Sequence, residues 1–385
     1  MSTSKKPLLI VVVVVVIIII IFFLMQIINP SFLNYFISLP SSTTPPKITT
    51  TVTPSIIANI SVGKSPSYAT YDPSNNYVYV MNALSGTVSV LSGTSVIANV
   101  TIGGQPSFAI YNPSNNYVYV TNGQYTVSVL SGTSVIANIS VGHIPNSATY
   151  DPINKYIYVP NLLSNTVSVI NGTSVIATIP VGNAPYGPVY DTVNGYIYLI
   201  NQKDDTVSVI NGTSVIATIP VGASPSSAAY DPNNGYVYVT NAGSSAASGT
   251  VYILNGTSVI ANVTAPDGSL PSLVIYNSHN HYVYVANFNY ETVPTIISVF
   301  KGTSVIANVT VGAGLVSITY DASNGYIYVP NSLSNTISVL SGTSLIDNIN
   351  LANSMYSLYN PSNGYLYVTT YSYSSEVGTV AVLRV

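Results

Sequence analysis

The 385-residue chain has 8 Lys and Arg against 11 Asp and Glu, a formal net charge of −3, and only 5% of its residues are charged. No basic stripe exists to neutralise phosphates, so nucleic acid is not expected as a partner. With no Cys, disulfides, thiol catalysis and thiolate metal sites are excluded together, and with so few titrating groups stability should depend weakly on pH, as would suit a harsh or acidic exterior.

Residues 1–7 form a short tail with Lys5 and Lys6, followed by an apolar run from Leu8 to Ile28 broken only by Gln26. At about 1.5 Å per residue this run spans roughly 30 Å, the thickness of a hydrocarbon core. It is longer than the apolar stretch of a cleavable signal and lacks a small-residue cleavage site, so residues 8–28 are predicted to be a retained transmembrane anchor. The next basic residue is Lys47, which places the N-terminus in the cytoplasm and everything after Pro30 outside the cell. Residues 29–54 end in a Ser/Thr/Pro mixture that reads as a semi-extended stalk.

From residue 55 onward the sequence repeats. A phrase of the type Tyr-Asp-Pro-Ser-Asn-Asn-Tyr-Val-Tyr-Val recurs eight times, first at Tyr71–Val80 and last at Tyr359–Val368. Its anchor tyrosines are Tyr71, Tyr111, Tyr150, Tyr190, Tyr230, Tyr276, Tyr320 and Tyr359, about 40 residues apart, the spacing of a propeller or solenoid. In the second unit Gln105–Tyr111, Tyr117–Val120, Thr126–Leu130 and Val135–Val141 alternate with period two and are separated by turn residues, giving four strands per unit. The prediction is all-β: an eight-bladed β-propeller over residues 55–385, with seven blades as the alternative if the divergent last unit does not form.

Seven units carry their own fourth strand, beginning at Val96, Val135, Val175, Val215, Val259, Val305 and Leu345, whereas the eighth stops at its third. The missing partner is Ser55–Val62, which matches the other fourth strands closely and is predicted to close the ring beside Thr379–Val385. Closure of that kind removes an open sheet edge.

Tyr119-Val-Thr-Asn122 and Tyr238-Val-Thr-Asn241, with near copies at Tyr79, Tyr158 and Tyr328, resemble the signature of the YVTN family of β-propeller repeats. Similar repeats occur in archaeal and bacterial surface-layer and other exported proteins, which agrees with an outward topology. The resemblance supplies no shared catalytic residues.

The inner strands, which end at the anchor tyrosines, contain no Asp, Glu, His, Lys or Arg. A channel so lined offers no metal ligands and no general acid or base, so no cofactor, metal, small-molecule substrate or enzymatic activity is expected. Asp72, Asp151, Asp191, Asp231 and Asp321 follow anchor tyrosines and read as turn formers. His279 and His281 have metal-pair spacing but no third ligand, and the Lys203, Asp204, Asp205 cluster reads as a wet loop tip.

Sequons at Asn59, Asn99, Asn138, Asn171, Asn211, Asn255, Asn262 and Asn308 all fall on the outer strand or the turn before it, and are candidates for N-glycosylation. The loops between second and third strands diverge most. Together with the fourth-to-first connections they present His143, Gln202, Lys203, Asp204, Asp205, Phe288, Tyr290, Glu291, Tyr371, Tyr373 and Glu376 on one face, a Tyr-rich composition suited to recognition. The stalk joins on the opposite face. The function expected is a membrane-anchored surface recognition or adhesion module for an envelope protein or surface glycan. The alternatives are a glycosylated coat subunit and, less favoured, a lactonase-like hydrolase.

Overall fold

The repeated phrase folds as a turn because its polar residues bond their own backbone. The Asp72 carboxylate accepts from the Ser74 amide at 2.8 Å and hydroxyl at 2.6 Å and from Asn75 Nδ2 at 2.8 Å, the geometry that Asp favours in such turns. Asp151, Asp191, Asp231 and Asp321 make the equivalent bond to the amide two residues on. The last turn position is left-handed, with φ of 62° at Asn76 and 75° at Gly235, which explains why Asn and Gly alternate there.

The computed structural model describes residues 54–243, 248–288, 294–372 and 377–385. It contains strands β1 (Ser55–Val62), β2 (Pro66–Asp72), β3 (Tyr77–Asn82), β4 (Thr87–Ser92) and β5 (Ser95–Thr101), and the pattern of the last four recurs along the chain. There are eight four-stranded antiparallel sheets, each one blade of a ring. Blade 8 comprises Ser354–Asn360, Tyr365–Ser372, Val377–Arg384 and, as its outer strand, β1, which pairs with Val377–Arg384 from Ser55↔Arg384 to Val62↔Gly378. The eight-bladed architecture and its N-terminal closure are therefore as the repeats predict. Among the described residues no helix is long and apolar enough to cross a membrane; the predicted anchor at 8–28 and the stalk, apart from Pro54, lie outside the described residues.

Within blade 1 the two middle strands are almost wholly buried, whereas β5 alternates exposed and half-buried. The core consequently lies between blades. The second-strand tyrosines stitch it: Tyr79 Oη donates to the Gly132 carbonyl of the next blade at 3.1 Å, and Tyr119, Tyr158, Tyr198, Tyr238 and Tyr284 do the same to Gly172, Gly212, Gly256, Gly302 and Gly342. The Asn that ends each second strand packs on the glycine of the preceding connection. A Cβ on Gly63, Gly142 or Gly312 would come within 2.6–2.8 Å of Asn82, Asn161 or Asn331. These contacts give the Tyr and Asn of the repeated motif structural tasks.

Strand direction sorts the loops onto two faces. Turns between first and second strands, and between third and fourth, share one face, called proximal because Ser55 starts there beside Arg384. Second-to-third loops and the fourth-to-first connections share the distal face.

Candidate functional site

The distal face carries the loops expected to recognise a partner, and the structure divides their residues. His143 is half-buried, its ring stacked on Tyr125 with centroids 4.6 Å apart. Lys203 is exposed, and the Gln202 amide donates to the Ala184 carbonyl at 3.2 Å. Asp204 and Asp205 are fixed rather than loose tips. Asp204 accepts from the Asn183 amide and Nδ2, both at 2.7 Å, and Asp205 accepts from the Ser224 amide at 2.8 Å. The Asn183 bonds hold the exposed Asp204 carboxyl below its ordinary range. Phe288 is half-buried at the end of its strand. Tyr371 corrects the expectation for its loop: the strands extend to Ser372 and from Val377, Tyr371 pairs with Gly378, and its side chain is 6% exposed. Tyr290, Glu291, Tyr373 and Glu376 lie outside the described residues.

Sequence reading missed the apolar tips of the same face. Leu84, Leu163 and Leu333 are 60%, 52% and 61% exposed, and Tyr125 is 50% exposed. They stand on blades 1, 3, 7 and 2, and the corresponding loop of blade 8 lies largely outside the described residues. The three leucines share the loop sequence Asn-x-Leu-Ser, and that recurrence of an apolar residue in a turn was the available signal. The eight sequon asparagines are all exposed. Asn99, Asn138 and Asn308 each accept a bond from a third-strand serine at 2.7 Å through Oδ1, not through Nδ2, the atom to which an N-linked sugar attaches.

At the axis lies a cavity of about 520 Å³ that reaches the first-to-second turns of the proximal face. Eight of its 24 lining residues are tyrosines, and none is Asp, Glu, Lys or Arg. The walls include the anchor tyrosines of blades 1, 4, 5, 6, 7 and 8, and the deep end holds Tyr68 and Tyr356, ring centroids 4.4 Å apart, with Phe108 4.5 Å from Tyr68. Burial pushes the Tyr68 and Tyr186 hydroxyls well up and the Tyr356 hydroxyl to about 12. The Tyr190 and Tyr230 hydroxyls are buried with no hydrogen-bond partner of normal geometry, and burial raises both, reinforced by Asp151 and Asp191 respectively.

The paired histidines separate into two roles. His281 occupies the left-handed turn position, φ 59°, and its Nδ1 is 2.8 Å from Tyr276 Oη, the place Asn76 takes against Tyr71. His279 lines the cavity mouth and packs against Gly325 of the next blade. No group of three metal-ligating side chains occurs among the described residues.

No family model matches the chain, and no curated protein matches it. Solved structures do. Hydrazine synthase of Kuenenia stuttgartiensis is 14% identical with a TM-score of 0.56, covering 84% of this chain and 97% of that one. The dihydro-heme d1 dehydrogenase NirN, in complex with DHE, is 13% identical with a TM-score of 0.66, covering 84% and 75%. A putative 6-phosphogluconolactonase from Bacteroides uniformis is 15% identical with a TM-score of 0.54, covering 76% and 96%. Likeness at that identity shows the propeller fold alone.

It nevertheless overturns the expectation of a non-enzyme, because propellers of this build are named as a synthase, a dehydrogenase and a lactonase. The premise also fails locally. The inner strands are uncharged as read, but the turns that complete the channel bring His279 to its mouth, so an uncharged strand set does not exclude an acid or base.

Proposed function

We propose that the chain is a membrane-anchored, outward-facing protein-recognition module whose distal face docks an envelope protein. The observation that carries this reading is the exposure of Leu333, Leu84, Tyr125 and Leu163, apolar side chains on the distal loops of blades 7, 1, 2 and 3. Rigid blades present these tips without ordering cost, and the flanking Lys203 and Asp204 supply a polar rim. The proximal face, where Ser55 joins the ring, is the side nearer the anchor, which leaves the distal face toward the surroundings. The resemblance to YVTN repeats of surface-layer and exported proteins supports the same placement, and sequon glycans on the outer strands would leave the distal loops clear.

The test is a pull-down from host envelope extract with the full chain in detergent, beside a Leu84→Asp, Leu163→Asp, Leu333→Asp variant. The expected result is a partner retained by the parent and lost by the variant at unchanged thermal midpoint. Equal retention by both would overturn the reading.

A second reading, a coat subunit, has its own support. From Ile97 to Ile346, one isoleucine on the outer strand of each of seven blades is 42–48% exposed, an apolar belt suited to lateral contacts. A regular array in electron micrographs of purified membranes would favour it.

A further inference from the structure

We propose that the axial cavity is a binding site for one uncharged, hydroxyl-bearing ring, the terminal unit of a neutral saccharide. This goes beyond the distal-face reading, since the cavity opens on the other side of the ring.

Its size lies within the range of small-molecule sites, roughly 300–1,000 Å³. Its chemistry narrows the ligand. No Asp, Glu, Lys or Arg lines it, and its one imidazole, His279, stands at the mouth, so the interior holds no counter-charge and phosphate, carboxylate and metal ligands are disfavoured there. The Asp191 carboxylate beside Tyr230 does not line the cavity and is held by the Val193 amide at 2.8 Å and by Asn194 Nδ2 at 2.8 Å. What remains is a set of tyrosine ring faces and hydroxyls alternating with Ala228, Ala229, Ile275 and Ile318. A pyranose presents the complement, with C–H faces that stack on aromatic rings and hydroxyls at its edge.

Two features separate this from a plain apolar hole. The six anchor tyrosines of the wall stand beside the hydroxyl-bearing Thr70, Ser278, Thr319 and Ser357, so aromatic faces and hydrogen-bonding groups line one space. The cavity is also eccentric. Eight near-identical units would give an axially symmetric channel, yet blades 2 and 3 contribute none of the lining, Phe108 of blade 2 instead packing on Tyr68, while blade 5 sets the small Ala228 and Ala229 beside its Tyr230 and Pro232. Tyr68 and Tyr356 line its inner end, and the half-buried Thr192, Pro232 and Ala322 its mouth.

The full chain, in a detergent without a sugar head group, is titrated with methyl glucoside, methyl galactoside, N-acetylglucosamine, glucuronate, choline and p-cresol. Saturation-transfer NMR and tyrosine fluorescence report binding. The expected result is that at least one neutral sugar binds about tenfold more tightly than glucuronate or choline. Ala228→Leu, which fills the wall, should weaken it by about tenfold or more; Thr192→Phe, which narrows the mouth of a correctly folded ring, gives the same answer if the wall variant does not fold. Binding of p-cresol or choline without any sugar would overturn the assignment, as would sugar binding unchanged in the folded variants or no binding at all.

Discussion

The Tyr367 hydroxyl donates to the carbonyl of Gly93 at 3.0 Å, across 274 positions of sequence, and so joins blade 8 to blade 1 by the same bond that Tyr79 makes to Gly132 between blades 1 and 2. Seven such bonds run round the ring. The exception is Tyr328 of blade 7, which would have to reach a third-to-fourth turn in blade 8, where β1 supplies the outer strand and no such turn exists.

That difference is measurable. Tyr119→Phe should destabilise the fold by about 1 kcal/mol or somewhat more, since it leaves the buried-side Gly172 carbonyl without its donor. Tyr328→Phe should cost clearly less. Paired denaturant titrations of the two variants check the ordering, and an equal loss would contradict a stabilising role for these inter-blade bonds.

Closure by β1 predicts a second effect. Removing residues through Val62 should unpair Val377–Arg384 and expose Ile60's packing site, giving aggregation or loss of the cooperative transition. The milder Ile60→Ala should lower stability by about 2–5 kcal/mol, read as a shift in urea midpoint at constant slope.

Acid should not unfold this protein through its turn aspartates. Burial raises Asp72, Asp231 and Asp321 above the ordinary 3.8 despite their turn hydrogen bonds. An acid whose folded value is raised adds stability below its unfolded value and loses it as pH rises through the folded one. Asp204 runs the opposite way but is exposed. The expected outcome is a thermal midpoint that holds or climbs as pH falls through the carboxylate range; a steep decline there would refute the account.

Alkali acts in the other direction. Burial pushes Tyr79, Tyr238 and Tyr356 from 10 to about 12, so the stability they contribute is intact below pH 10 and disappears as pH rises through about 12. Tyrosinate absorbance and far-ultraviolet dichroism should therefore change together in one cooperative step. Ionisation well ahead of unfolding would show the rings to be more accessible than the structure makes them.

The blades and their closure were legible in the sequence because strand alternation and Asx-turn chemistry are local, and because a fourth strand stranded at Ser55–Val62 has one place to go. The site was less legible. Tyr371 read as a loop residue because pairing of Tyr371 with Gly378 depends on a partner strand, not on local composition. The charges of Asp204 and Asp205 looked free because Asn183 and Ser224 lie on a different blade segment some twenty residues away. The cavity was invisible for a further reason: its width depends on Ala228 and Ala229 standing across the axis from Tyr68 and Tyr356, a comparison of side chains from blades that never adjoin in sequence. His281 was the more instructive histidine. Its residue type hinted at a ligand, yet its left-handed φ shows it filling an Asn or Gly position.

The pairing of Ser55 with Arg384 also sets a timetable for assembly. Blades 1 to 7 each hold all four strands within about 40 residues and can form as their segments are made. Blade 8 cannot, because its outer strand belongs to the first segment to emerge and its neighbour to a segment more than three hundred residues later. Until both are in place, the ring stays an open arc with two bare edges, and the strand made first is the one that finally shuts it.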